Sequence, residues 1–215
     1  MSRQLEFVLK RLFDAVVAGV SLVICIPLFA VIAAAICIDS PGKPIFVQDR
    51  VGRNGNRFRM LKFRTMIRNA ERVGSGFYVS RSDPRITRVG RFLRRLSLDE
   101  MPQLWNVLVG EMSLVGPRPA LGYHVEHYTP RQAARLSVRP GLTGWSQVNG
   151  RNQLKWPERL ELDVWYANHF SLWLDARILL RTLAVWVSGH GLYAERDRFF
   201  FSGRDDIPAP SRRNL

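Results

Sequence analysis

The sequence predicts a mainly helical α+β protein whose N-terminus is buried in a membrane. Three observations predict this: an uncharged apolar run at residues 15–38, a hairpin signal around Asn54-Gly55, and helical spacing of apolar residues in much of the remainder.

The apolar run follows Lys10, Arg11 and Asp14, and its about 24 residues exceed the roughly 20 that span a bilayer. Pro27 interrupts it near the middle, leaving halves that each reach about half of the ~30 Å hydrocarbon core. Two readings stay open here, a kinked spanning helix and a re-entrant helix broken at Pro27. Arg3, Lys10 and Arg11 precede the run, while Lys43, Arg50, Arg53, Arg57 and Arg59 follow it. Basic residues are retained on the cytoplasmic side, so charge at both ends favours re-entry. A cleaved signal peptide fits less well, because the run is long and Ile36-Cys37-Ile38 offers no small-residue cleavage pattern.

After Asp39-Ser40-Pro41-Gly42, a hairpin is expected from Pro44–Val51 and Phe58–Met66 around Asn54-Gly55. Residues 69–84 read as a loop. From Ile86 a helix is expected with Val89, Phe92, Leu93 and Leu96 on one face and Arg88, Arg91, Arg94 and Arg95 around it. A second helix is expected from Ser97–Glu100 to Gly110. Gly116-Pro117-Arg118-Pro119 and Arg139-Pro140-Gly141-Leu142-Thr143-Gly144 are stiff loops that cannot be regular helix. Leu160–Asn168 and Leu172–Ser188 read as helices, the latter with apolar residues and tryptophans suited to a core or to a membrane surface. The expected units are 1–40 (membrane helix), 41–200 (one domain with its own core) and 201–215 (a frayed tail).

Lys plus Arg number 32 against 18 Asp plus Glu, a net charge of +14 that attracts phosphorylated substrates, nucleic acid or an anionic leaflet. The basic residues are dispersed among paired acids and proline loops, not gathered in one run with interleaved aromatics, which argues against a nucleic-acid partner. Both cysteines, Cys25 and Cys37, lie in the apolar run, so neither a disulfide framework nor a thiolate metal site is expected in the body of the protein.

Asp99-Glu100 is the outstanding acidic site. One reading is helix capping, Ser97-x-x-Glu100 forming a capping box. The other is chemical: a carboxylate among cations can attack a phosphoryl group, with basic side chains screening the non-bridging oxygens. Candidate phosphate binders are Lys62 and Arg64, which share one face of a strand, Arg118 between its prolines, and Arg139 and Arg151 in glycine-containing loops.

The run from Asp83 through Arg94, then SLDEMPQLWNVLVGEMSLVGPRP (Ser97–Pro119), resembles the bacterial sugar transferases, the monotopic phosphoglycosyl transferases. KFRTM (Lys62–Met66), RPGLTGWSQVNGRN (Arg139–Asn152), Asp163…Tyr166 and KRLFD (Lys10–Asp14) are similar too, and the match covers roughly residues 8–195. The chain resembles the minimal members that consist of the catalytic domain.

The resemblance implies a re-entrant membrane helix broken at Pro27, interfacial amphipathic helices and a small cytoplasmic domain with a β-hairpin. It implies transfer of a sugar-1-phosphate from a UDP-sugar to a polyprenyl phosphate, with release of UMP, at the cytoplasmic face of a bacterial inner membrane. Asp99 would be the nucleophile and Glu100, with Asp99, would hold Mg²⁺. Lys62, Arg64, Arg85, Arg94, Arg95, Pro117, Arg118, Pro119, Arg139, Gln147 and Arg151 would contact phosphates or nucleotide, and Lys10 and Arg11 would face the lipid phosphate. The implied partners are the UDP-sugar, the polyprenyl phosphate and anionic lipids of one leaflet, with a homodimer left open. The family's small members place serine before the helix-breaking proline; this chain has Ile26.

Overall fold

A single helix of 37 residues, α1 (Arg3–Asp39), leads the chain and runs through Pro27 without interruption. The computed structural model describes residues 3–70, 83–150 and 153–188, the last four by backbone alone. Most of the loop read at 69–84, together with Arg151 and the 201–215 tail, lies outside the described residues.

The break expected at Pro27 is therefore not an interruption of helical structure. Proline removes one donor and crowds the preceding turn, and a helix survives that loss when the turns on both sides are held. Both sides are held here. In the first half, Lys10, Asp14 and Ala18 recur every four residues and form a buried stripe. Lys10 pairs with Asp175 and lies 3.9 Å from Asp14, and Asp14 accepts a 3.2 Å bond from the Leu114 amide. Phe7 stacks on Phe170 at 4.8 Å. In the second half, Ile32 and Ile36 pack with Phe63 and Leu93, and Phe29 meets Phe63 edge-on at 5.3 Å.

The hairpin forms as an antiparallel pair, β1 (Ile45–Val51) with β2 (Arg57–Phe63), in register from Ile45 opposite Phe63 to Val51 opposite Arg57. Asn54 and Gly55 take positive φ of 58° and 82° in the connecting loop, which is the backbone that Asn-Gly is suited to supply. Asn106 fastens the hairpin to α3 (Gln103–Val109): its side chain accepts from the Leu61 amide at 3.1 Å and donates to the Arg59 carbonyl at 2.8 Å.

Helix α2 (Arg88–Arg95) is N-capped by Thr87, whose hydroxyl accepts from the Gly90 amide. Leu93 is 1% exposed, but Phe92 is 58% exposed, so the apolar face is narrower than the spacing implies and Phe92 lies outside the core. The second expected helix is split: Leu98–Glu100 is a separate 3-10 turn, and α3 begins only after Pro102.

Strand β3 (Ser113–Val115) pairs in parallel with β4 (Gly141–Thr143), bringing the two stiff proline loops together. The approach is close. A Cβ on Gly116 would stand 2.3 Å from the Arg139 carbonyl oxygen, and one on Gly141 would stand 2.0 Å from the Gly116 nitrogen. Short helices α4 (Gly122–Val125), α5 (Pro130–Ala133) and α6 (Trp145–Val148) lead to α7 (Trp156–His169) and α8 (Leu172–Ser188). Helix α7 starts before the expected Leu160, because Pro157 fits a first turn and Glu158 accepts from the Lys155 amide at 2.9 Å. The main core joins Ala18 of α1 to Met60, Leu104, Val107, Met112, Tyr166 and Ile178.

Replacing Lys10 by methionine leaves Asp14 and Asp175 buried without their cation. We expect a loss of about 3–5 kcal/mol of unfolding free energy, read from the denaturant midpoint; a loss below about 1 kcal/mol would show that the pair does not hold α1.

Candidate active site

Asp99 and Glu100 reach their positions through a tight reversal. Helix α2 ends, Ser97 adopts the left-handed conformation (φ 55°), and the 3-10 turn Leu98–Glu100 follows. The Ser97 side chain makes no capping bond, so the capping-box reading does not hold. The Glu100 carboxylate is held instead by two cations from other elements. Its Oε1 accepts from Lys62 Nζ of β2 at 2.9 Å and from Arg118 Nη2 at 2.6 Å, while Oε2 lies 3.4 Å from Arg118 Nη1.

Arg118 is presented by a pinned loop. Arg135 donates to the Arg118 carbonyl at 2.7 Å, and Arg50 donates to the Pro119 carbonyl at 3.1 Å. Arg135 is itself fixed by a buried 2.6 Å pair with Asp163, which also accepts from Ser146 Oγ at 2.7 Å.

These groups line a cavity of about 1260 Å³, above the ~300–1,000 Å³ usual for a small-molecule site. Among the described residues, no side-chain hydrogen bond or ion pair engages the Asp99 carboxylate, and Asp99 lines this cavity. Burial and the neighbouring Glu100 charge raise the Asp99 pKa, against the opposing pull of Lys62, Arg94 and Arg118. Burial also works against the Glu100 charge, but Arg118 and Lys62 reverse that and hold its carboxyl well below the usual range. Burial lowers Lys62, with Glu100 opposing.

Of the residues singled out from sequence, Lys62, Arg64, Arg94, Asp99, Glu100, Arg118, Pro119 and Gln147 line the cavity. Arg64, however, donates to the carbonyls of Pro41 (2.7 Å) and Ser40, closing the C-terminus of α1. Arg94 donates from Nε to Thr65 Oγ1 at 2.8 Å.

The others lie elsewhere. Arg85 is buried in a 2.7 Å pair with Asp83, and Arg139 donates to the Gly110 carbonyl at 2.9 Å. Arg11 donates to the Val107 and Leu108 carbonyls at 2.7 and 2.6 Å, and Lys10 is engaged by Asp175. Arg95 and Pro117 do not line the cavity, and Arg151 is outside the described residues.

Sequence reasoning missed Arg50, Arg135, Ser146, Arg159 and Trp156 as cavity residues, and did not assign Asp163 to the site. The hairpin register carried a signal for Arg50. Phe46 opposes Lys62 and Arg50 opposes Phe58, so Arg50 shares the Lys62 face.

The arrangement offers a free carboxylate beside an anchored one, among cations. A hard divalent cation that shares substrate phosphates needs only one or two protein carboxylates. Asp99 and Glu100 can supply these, the latter through its less engaged Oε2.

The family model for bacterial sugar transferases matches residues 5–189. The uncharacterized sugar transferase EpsL of Bacillus subtilis is 41% identical over 201 residues, covering 91% of this chain and 98% of that protein. The UDP-galactose-lipid carrier transferase of Erwinia amylovora is 40% identical over 199 residues, 86% of this chain and 42% of that protein. The undecaprenyl-phosphate glucose phosphotransferase of Komagataeibacter xylinus is 43% identical over 185 residues, 81% of this chain and 35% of that protein. The chain thus spans under half the length of the last two relatives.

Removing the adjacent negative charge by Glu100→Gln should lower the Asp99 pKa toward the ordinary aspartate range, since Lys62 and Arg118 stay nearby. Carboxyl-resolved NMR titration of the two proteins measures this; an unchanged or higher value would contradict the electrostatics described.

Proposed function

The chain belongs to the bacterial sugar transferase family, and we propose that it transfers a sugar-1-phosphate from a UDP-sugar to a polyprenyl phosphate through a covalent intermediate on Asp99. One observation carries the reading: Asp99 is left unpaired in a cationic cavity, while its neighbour Glu100 takes both Lys62 and Arg118.

An Asp99 oxygen attacks the phosphorus that bears the sugar, and the bond from that phosphorus to the bridging oxygen breaks. UMP departs with the electron pair. An oxygen of the polyprenyl phosphate then attacks the same phosphorus, and the aspartyl–phosphate bond breaks to restore the carboxylate and give polyprenyl-diphospho-sugar. No proton is consumed in either step. Lys62, Arg94 and Arg118 are placed to offset charge on the non-bridging oxygens. Bound Mg²⁺, held by Glu100 with Asp99, would add neutralisation of the diphosphate. The names of the relatives support a UDP-linked hexose donor and an undecaprenyl phosphate acceptor.

The acceptor's lipid tail requires a membrane, and α1 supports entry into one leaflet. It rests on the body along one face, through Phe7, Ala18 and Leu22 and through Ile32 and Ile36, while its other face exposes apolar side chains from Leu5 to Ile38, among them Val8, Leu12, Val23, Ile24 and Val31. An apolar face held beside the body along its length suits a helix lying in one leaflet, and the basic residues on both sides of the run favour both ends on one side. Exposed Phe92, Trp105, Trp173, Leu180 and Leu183 extend the apolar surface over α2, α3 and α8. We therefore place the protein on the cytoplasmic face of the inner membrane, its apolar helix dipping into the near leaflet.

With a UDP-sugar, Mg²⁺ and polyprenyl phosphate, wild type should release UMP, and Asp99→Asn should lose about 10³-fold or more of the rate while staying folded. Mass spectrometry should find a phosphosugar adduct on wild type and none on the variant; undiminished turnover in Asp99→Asn would exclude the intermediate. Because the attacking carboxylate must be ionised and its pKa is raised, UMP release should fall as pH decreases along a one-proton limb. Its midpoint should lie above the ordinary aspartate value of about 3.9; a pH–rate profile flat down to that value would refute the assignment.

A further inference from the structure

Lys10 and Asp14 of α1 meet Asp175 of α8 out of contact with water. Lys10 Nζ bonds Asp175 Oδ2, lies 3.9 Å from Asp14 Oδ2 and stands over the Phe170 ring at 5.7 Å. Asp14 Oδ1 accepts from the Leu114 amide. The Tyr166 hydroxyl of α7 completes the group, 2.7 Å from Asp175 Oδ1 and 3.1 Å from the Val115 carbonyl of β3. Two carboxyls share one cation here, so ionising both leaves a buried site with net negative charge, which is costly.

The hydrogens show where the balance lies. A tyrosine hydroxyl carries one hydrogen, and a carbonyl only accepts. Were Asp175 a carboxylate, Tyr166 would face two acceptors with that single hydrogen, and one pair of oxygens would meet lone pair to lone pair. A proton on Asp175 Oδ1 gives each contact its own hydrogen: Asp175 donates to Tyr166, and Tyr166 donates to Val115. The Val115 carbonyl has a second lone pair for its 2.9 Å bond from Ser113 Oγ. Among the described residues, the other three carboxyl oxygens face donors only, the Lys10 ammonium or the Leu114 amide, so a proton there would meet no acceptor.

We propose that Asp175 is a neutral carboxylic acid in the folded protein, and that this stored proton is part of the latch that holds α1 to α7, α8 and β3. Lys10 then balances the ionised Asp14 and donates to the neutral Asp175. Burial raises the Asp175 pKa against the pull of Lys10 and Tyr166, and the Asp14 charge adds to the rise. Burial foremost keeps the Tyr166 hydroxyl protonated. The folded protein therefore holds a proton that the unfolded chain releases. The latch is strongest at low pH and weakens as pH rises from the ordinary aspartate value of about 3.9 through the raised one.

Thermal unfolding of the full chain in nanodiscs, followed from about pH 5 to about pH 8, tests this. Asp175→Asn keeps the bonding pattern, because its amide can donate to Tyr166 and accept from Lys10. It should melt at least as high as wild type at pH 7 and gain on it by roughly 3–5 °C per pH unit until Asp175 ionises in the folded wild type. Asp14→Asn, which strands Lys10, should instead lower the midpoint at pH 7 by about 6 °C or more. An Asp175→Asn protein that melts below wild type at pH 7, or a gap that does not widen with pH, would overturn the proposal. Should that variant not fold, Asp175 is the charged partner and the proposal fails as well. Carbon NMR of aspartate-labelled wild type decides without any variant: the Asp175 carboxyl carbon should resonate as the protonated acid at pH 7, and a carboxylate resonance there would refute it. None of these readouts uses the transfer reaction.

Discussion

Glu100 is the junction on which the site depends. Its single carboxylate joins three elements distant in sequence: β2 through Lys62, the loop between β3 and α4 through Arg118, and its own 3-10 turn. An exposed ion pair is worth about 0–1 kcal/mol, but Lys62 and Glu100 are mostly shielded from solvent, where removing one partner leaves charge uncompensated. Without Glu100, Lys62 and Arg118 would repel each other across the cavity mouth. With it, they are held side by side while Asp99, one residue earlier, keeps its oxygens open.

Several arginines are likewise used inside the fold. Arg11 and Arg139 serve the C-terminal end of α3, Arg64 closes α1, and Arg135 holds the Arg118 carbonyl. These guanidiniums satisfy carbonyls that helix ends and loops leave without backbone partners. A net charge of +14 therefore overstates the charge free to meet an anion. Lys62, Arg94 and Arg118 line the cavity together with Asp99.

Local chemistry was legible in the sequence where local geometry decides. Asn54-Gly55 marked the hairpin, the two proline loops marked non-helical backbone, and Asp99-Glu100 among arginines marked a carboxylate pair that lines the cavity. Distant partners were not legible. Nothing in the spacing separates Arg85 or Arg139, which hold the fold, from Arg118, which faces the cavity. The Arg135–Asp163 pair joins residues 28 positions apart. Ser97-x-x-Glu100 had the capping pattern, but Lys62 and Arg118 offered Glu100 stronger, charge-assisted bonds. Pro27 suggested a break, yet α1 runs through it as one helix with tertiary contacts on both flanks. Phe92 follows the apolar period of α2 while facing outward, because a three-residue spacing does not reveal which neighbour covers each side.

The bond from Lys10 to Asp175 spans 165 positions and closes α1 against α8. At ~5–20 residues per second, a ribosome needs on the order of ten to thirty seconds to supply that partner. During this interval the nascent N-terminus carries Lys10 and Asp14 on a face it cannot yet seal. Synthesis of α8 is thus the event that completes the anchor, and a stalled or shortened translation product would present an apolar helix with its charged stripe still open.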